Sequence, residues 1–206
     1  MYTVNMSRTT YHHGDLRASL LTSALELVES SGPEQLSLRA VARRAGVSPN
    51  APYNHYADKD ALLAALAAYG FEQLRERMIA AVADAEPGDE IVALTVAAVR
   101  HALAHPGLHR LTAGHMCSDH PPTRAAEDAV KAVVASSVAA TPGDPEGAAL
   151  CAGVWALTQG LSLLLVDGSL KPPRHQDIDD FIRTIVQTTL AARGRVQGGA
   201  DRRSRE

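Results

Sequence analysis

One stretch limits the fold of this chain more than any other: "SLRAVARRAGVSPNAPYNHY", residues 37–56. Ser37 can cap a short helix with Leu38, Val41, Ala42 and Ala45 on one side and Arg39, Arg43 and Arg44 on the other. Gly46 follows, and glycine reaches the positive φ that closes a helix. Ser48 offers a further cap, with Pro49 at the first helical position, where a missing N–H costs nothing. Pro52 falls at the fourth position of a helix drawn from there and removes one of its first backbone bonds, so this helix starts distorted or starts later. A helix, a tight glycine turn and a short polar helix within about twenty residues match the spacing of a helix-turn-helix.

The flanking sequence supplies the remaining helices. Asp15 can cap a first one, in which Leu16, Leu20, Ala24, Leu27 and Val28 recur at helical spacing until "SSGPEQ" stops the run. Asp58 caps a long helix to about Ala83, carrying Leu62, Leu63, Leu66, Tyr69, Leu74, Met78 and Val82. Further helices are predicted at about 89–104, 107–116, 122–140, 146–166 and 176–192, separated by "HPG", "SDHPP", "TPGDPEG" and "DGSLKPPRH". Apolar residues make up 46% of the 206 but aromatics only 4%, so the core is aliphatic, and its Ala- and Leu-rich runs favour helix. The predicted class is all-α: an N-terminal three-helix helix-turn-helix domain over 12–60, a C-terminal helical bundle over 61–193 for effector binding and dimerisation, and a disordered tail over 194–206, where apolar periodicity ends.

Several function classes fall away. Cys117 and Cys151 give no disulfide framework. The start, "MYTVNMSRTTYHHGD", lacks the apolar stretch of a signal peptide. The run "AALCAGVWALTQGLSLLLV" is broken by Thr158 and Gln159 and reads as a buried helix rather than a membrane span. A soluble cytoplasmic protein without a membrane partner is expected. The net charge of −3 does not by itself suggest nucleic acid, but residues 37–59 hold four basic groups against one acid.

In a helix-turn-helix the second helix enters the major groove and reads base edges near its N-terminus. Asn50 and Asn54 are four apart and can donate to and accept from adenine edges. Tyr53, His55 and Lys59 can reach phosphates, which position the helix without specifying sequence, and the helix N-terminus attracts phosphate as well. The candidate DNA contacts are Arg39, Ser48, Asn50, Ala51, Tyr53, Asn54, His55 and Lys59. The plainer alternative is a small helical hairpin with a solvated polar face.

"LSLRAVARRAGVSPNAPYNHYADKDALLAA" resembles the DNA-binding domain of the TetR family of bacterial transcriptional regulators. Ala42, Ala45, Gly46, Val47, Ser48, Tyr53, His55, Lys59, Leu62 and Leu63 match that family's pattern, with Tyr56 where phenylalanine is usual; a subgroup carries the same "APY". The resemblance is strong over residues 12–66. It implies a dimeric repressor, a DNA-binding N-terminal part, a C-terminal part for effector and dimer contacts, phosphate roles for Tyr53 and Lys59, and a core role for Tyr56. "HPGLHRLTAG" and "VWALTQGL" are similar to a subgroup with a Trp-x-x-x-His-Gly feature; Trp155 and Gly160 are present, and Gln159 replaces the histidine.

From this follow an operator as partner, a homodimer, and a small-molecule effector of unknown identity. The effector pocket is assigned to His115, Met116, Trp155 and Gln159, and the dimer interface to Val154, Leu161, Leu165, Phe181, Ile182 and Ile185. Gly153 and Gly160, seven apart on one helix face, point to close helix contact. A regulator with no small effector is the second reading. A helical enzyme using His115 and Cys117 is the third, disfavoured because it leaves the helix-turn-helix unexplained; residues two apart also do not face each other on a helix. His101 and His105 have zinc spacing, but Pro106 interrupts and no usual ligand set completes them, so no metal or cofactor is expected. The histidines of 101–120 are expected at the surface or at helix ends.

Overall fold

The computed structural model describes residues 16–114, 119–138 and 144–203, with side chains to residue 192. The described residues form α1 (Leu16–Ser31), α2 (Leu38–Arg44), α3 (Lys59–Ala83), α4 (Glu90–Ala104), α5 (Pro106–Ala113), α6 (Pro121–Ser137), α7 (Pro145–Val166) and α8 (Ile178–Arg203). Two short 3-10 turns, Pro33–Gln35 and Ala51–Asn54, complete them, and among the described residues the fold is all-helical. The expected cap Asp15 lies outside the described residues.

Local chemistry sets the early boundaries. Ser37 accepts from the Ala40 amide at 3.2 Å and Asp58 from the Ala61 amide at 2.8 Å, so each caps the helix that follows. Gly46 has φ 69°, and a Cβ there would meet nothing within 4 Å; backbone conformation rather than space calls for glycine. The helix expected from Ser48 to about Tyr56 is instead the four-residue turn Ala51–Asn54. Pro52 is the reason: placed at the second position of a turn starting at Ala51, its missing N–H breaks no bond, while its carbonyl accepts from the His55 and Tyr56 amides at 2.9 Å. A turn this short supplies no helix dipole for a phosphate, which corrects that part of the expected contact.

Three apolar clusters hold the chain. The first joins α1, α2 and Tyr56 to the start of α3 through Leu62, Leu63 and Leu66, and it also takes in Leu108 and Leu111 of α5. The second joins α3, α4, α6 and α7, and the third α4, α7 and α8. A buried bond from Thr123 to the Ala64 carbonyl, 3.0 Å, ties α6 to α3. The last helix, expected over about 176–192, runs from Ile178 to Arg203.

Helix α7 was expected to be buried, yet its burial is one-sided. Val154, Thr158, Leu161 and Leu165 face inward, while Ala149, Gly153, Ala156, Leu163 and Leu164 are exposed along the opposite side. Four residues assigned to the dimer interface, Val154, Leu161, Leu165 and Ile182, are thus core of the protomer, packed against α4, and Phe181 and Ile185 are half-buried beside them. The apolar period identified the residues but not which of two apolar sides faces the protomer's own α4.

Candidate nucleic-acid interface and inner cavity

Arg39 and Arg43 lie a turn apart on the outer side of α2. With Val47, Pro49, Asn50 and Tyr53 they border one open depression. Tyr53 is 51% exposed although it is a large ring in a small head. Among the described residues neither Arg39 nor Arg43 has an ion-pair partner, whereas Arg44 bonds Glu26 of α1 at 2.5 Å and so fastens α2 instead. Ser48 and Asn54 are exposed nearby, and Ala51 is half-buried. Two expected contacts sit differently. His55 borders a groove with Arg17, Tyr56 and His120, and Lys59 donates to the Glu34 carbonyl at 2.8 Å. Arg43 was not among the expected contacts; its spacing of four from Arg39 was the available signal.

The bundle holds a small cavity of about 20 Å³, room for a water molecule or two. Gly70, Phe71 and Leu74 of α3, Ala98, His101 and Ala102 of α4, Leu108, His109 and Thr112 of α5, and Gln159 and Ser162 of α7 surround it. His101, in the last turn of α4 as expected of a helix-end histidine, and His109 are each 8% exposed, contrary to a surface position. Neither His101 Nδ1 nor His109 Nε2 meets a hydrogen-bond partner among the described residues. Burial first, then electrostatic repulsion involving His105, Arg77 and His109, pulls the His101 pKa down to about 4; burial and Arg110 lower that of His109. Trp155 is not at this cavity. It lines a separate groove with Lys131, Val134, Cys151 and Ala152, so the pocket expected to join Trp155 to Gln159 is two sites. His115 and Met116 lie outside the described residues.

The cavity and the head share a helix. α4 and α5 meet at a bend of 113°, and Glu29 of α1 caps α5 there, accepting from the Gly107 amide at 2.8 Å and the Leu108 amide at 3.1 Å. Gly107 lies against the α1 backbone: a Cβ would stand 2.4 Å from the Val28 carbonyl oxygen. His105 Nδ1 is 3.9 Å from Glu29.

Two family models match this chain. Residues 20–66 match the bacterial regulatory proteins of the tetR family, and residues 91–189 match the tetracyclin repressor-like C-terminal domain. The chain belongs to the TetR family. It is a DNA-binding transcriptional regulator of that family, with the helix-turn-helix in residues 37–56. No curated protein matches it in sequence.

Among solved structures, a protein of unknown function from Rhodococcus sp. RHA1 is 33% identical, covers 88% of this chain and 96% of its own, and superposes with a TM-score of 0.73. A TetR family transcription regulator from Marinobacter aquaeolei VT8 shares the fold at 19% identity, 83% and 93% coverage and a TM-score of 0.62. So does the transcriptional regulator FadR from Bacillus subtilis, solved in complex with stearoyl-CoA, at 11% identity, 83% and 96% coverage and a TM-score of 0.63. In this TetR-family chain Tyr56 is buried in the head's core, as the family pattern implies.

Proposed function

We propose that this regulator holds an operator as a homodimer and releases it when a small molecule occupies the inner cavity. The observation that carries the reading is the shared helix. Leu108, His109 and Thr112 of α5 border the cavity, while Glu29 and the Gly107 contact fasten the start of that helix to α1 of the head. A ligand that parts α5 from α3 therefore displaces α1. It releases DNA only if it binds the displaced form better than the DNA-competent one, and a ratio of ~100 between the two corresponds to about 2.7 kcal/mol per site.

A second copy is supported by the outer side of α7. An apolar helix side left open on a protomer marks an interaction surface. On the described part of α8, Thr184, Thr188 and Ala191 are exposed as well. A Cβ at Gly153 or Gly160 would meet nothing within 4 Å in the protomer, so the close helix approach that these glycines permit is left for the partner. A two-fold dimer sets two heads ~34–36 Å apart or a multiple of it.

On DNA, Arg39, Arg43, Tyr53 and Lys59 are phosphate contacts, with Lys59 exchanging its bond to the Glu34 carbonyl, and Asn50 and Asn54 read base edges; Ser48 and Ala51 shape the turn that presents them, and His55 stands at its margin. Binding-site selection from a random pool, followed by anisotropy titrations over salt, tests this. Arg43→Ala should weaken all sequences alike and lower the salt slope by about one, and Asn50→Ala should relax preference at one position by about 1–3 kcal/mol. The opposite assignment of effects would show that the head meets DNA by another face.

The size of the cavity favours one alternative, a regulator with no small effector. Operator release by a small-molecule fraction of a cell extract separates the two: release supports the first reading, and its absence across fractions supports the second.

A further inference from the structure

The cavity between α3, α4, α5 and α7 combines features that narrow its ligand. Two histidines, both more than nine-tenths buried, border it, and each leaves one ring nitrogen without a partner among the described residues. A buried polar atom left unmet costs about 1–3 kcal/mol, so two around one small space are a standing preference for a polar occupant. The guanidiniums of Arg77 on α3 and Arg110 on α5 act on them, as does the imidazole of His105 at the end of α4. α7 contributes the neutral Gln159 and Ser162. The carboxylate of Glu29, 3.9 Å from His105, is already committed to the amides of Gly107 and Leu108. Phe71, Leu74 and Leu108 add apolar side chains to the same lining.

We propose that this cavity takes a small organic acid, bound as its carboxylate by His101 and His109 with its apolar body against Phe71, Leu74 and Leu108. The proposal rests on the reading of the bundle as the effector site. Two imidazole N–H donors match the two oxygens of one carboxylate, whereas a phosphate dianion needs more donors than the pair supplies. A neutral amide or ketone would gain nothing from the nearby guanidiniums of Arg77 and Arg110. Burial and the neighbouring cations keep His101 neutral until about pH 4. An entering carboxylate reverses the balance, so binding takes up a proton and strengthens as pH falls. The ligand must also open the site. At Gly70 a Cβ would lie 2.9 Å from Leu108 Cδ1, so α3 and α5 touch beside the cavity, and an acid larger than water parts them. α5 then carries the displacement to α1.

The test is calorimetric titration of the full chain with formate, isobutyrate and benzoate, and with benzamide as the neutral isostere of benzoate. It is run at pH 6.5 and pH 7.5, in phosphate and in Tris buffer, so that the difference in buffer heats counts the protons taken up. At least one carboxylate should bind, approaching tenfold more tightly at the lower pH, with uptake of about one proton. Benzamide should not bind. His101→Gln should weaken the carboxylate about tenfold or more and remove the pH dependence, and His109→Gln should weaken it too. If His101→Gln lowers the melting temperature too far to titrate, His109→Gln and the benzoate–benzamide pair decide. The proposal is overturned if none of the three acids binds, if benzamide equals benzoate, if no proton is taken up, or if both variants bind like the parent. Operator binding is measured alongside. An intact operator complex with no carboxylate binding overturns this inference alone; a bound carboxylate that leaves the operator held confirms the site and overturns ligand release.

Discussion

In the head, particular side chains fix particular turns; in the bundle, helices are set by apolar surfaces that resemble one another. Ser37 and Asp58 each close one helix start through a bond three residues long, and Gly46 closes a helix by its φ alone. Helix α7 is capped at its start in the same way, by Asp144 on the Glu146 and Gly147 amides at 3.0 Å, but no such bond fixes which of its sides turns inward. It carries apolar residues on both sides, and packing against α4 and α6 decides which side is core. Short-range chemistry can be read residue by residue, whereas a choice between two similar surfaces is made by the rest of the fold.

Opposite sides of α7 offer the largest contrast. Leu165→Asp puts a charge among Val92, Val99 and Ile182 and should cost about 4 kcal/mol or more in chemical denaturation. Leu164→Asp, one residue away and 43% exposed, should leave the fold of the protomer intact and shift sedimentation from dimer toward monomer. Equal effects on folding would erase the distinction between the two sides.

A second contrast is in acid. Unfolded His101 takes a proton near pH 6.5 and the folded one only near pH 4, so the unfolded state binds more protons across that window and stability falls as pH drops through it. His109 adds in the same direction. Roughly 3 kcal/mol should be lost between pH 6.5 and pH 4 on account of His101. His101→Gln should flatten the profile by that amount, and an unchanged profile would show that His101 does not carry it.

Two helical glycines sharpen the comparison further. Gly107→Ala drives a Cβ against the α1 backbone and should cost about 2 kcal/mol, loosening head from bundle, as operator affinity and thermal melting would both report. Gly153→Ala has open space in the protomer and should stabilise the isolated protomer by about 0.5–1 kcal/mol. A gain at both positions would mean that α1 and α5 separate easily.

The smallest effects return to the head. Ser37→Ala and Asp58→Ala should each cost about 1 kcal/mol in thermal melting. A larger loss would show that these residues do more than cap.

Boundaries were legible where a cap or a breaker stood in the chain. The span from Asp58 to Ala83 and the caps at Ser37 and Asp58 follow from single residues and their neighbours. Pro52 was legible as a disturbance, but the four-residue turn it enforces was drawn as a longer helix. Less of the cavity could be read. Trp155 and Gln159, four apart, suggest one site by helical period, yet they border different spaces because α6 covers one and α4 and α5 the other. His101 and His109 resemble helix-end histidines in a row of five until α5 folds back through 113° and buries both. Glu29 gave no signal at all, since its partners lie 78 and 79 residues away.

The sequence by itself determined the helical class, the order of the helices, the glycine turn and the cationic side of α2. Each of these follows from bonds or periods spanning a few residues, and such interactions are present in any conformation that keeps the local helix. Tertiary structure alone decided which side of α7 is core, which histidines lose solvent and which helix links the cavity to the head. Those outcomes depend on apolar surfaces and backbone amides meeting from distant parts of the chain, and side chains of the same type differ only in what comes to cover them.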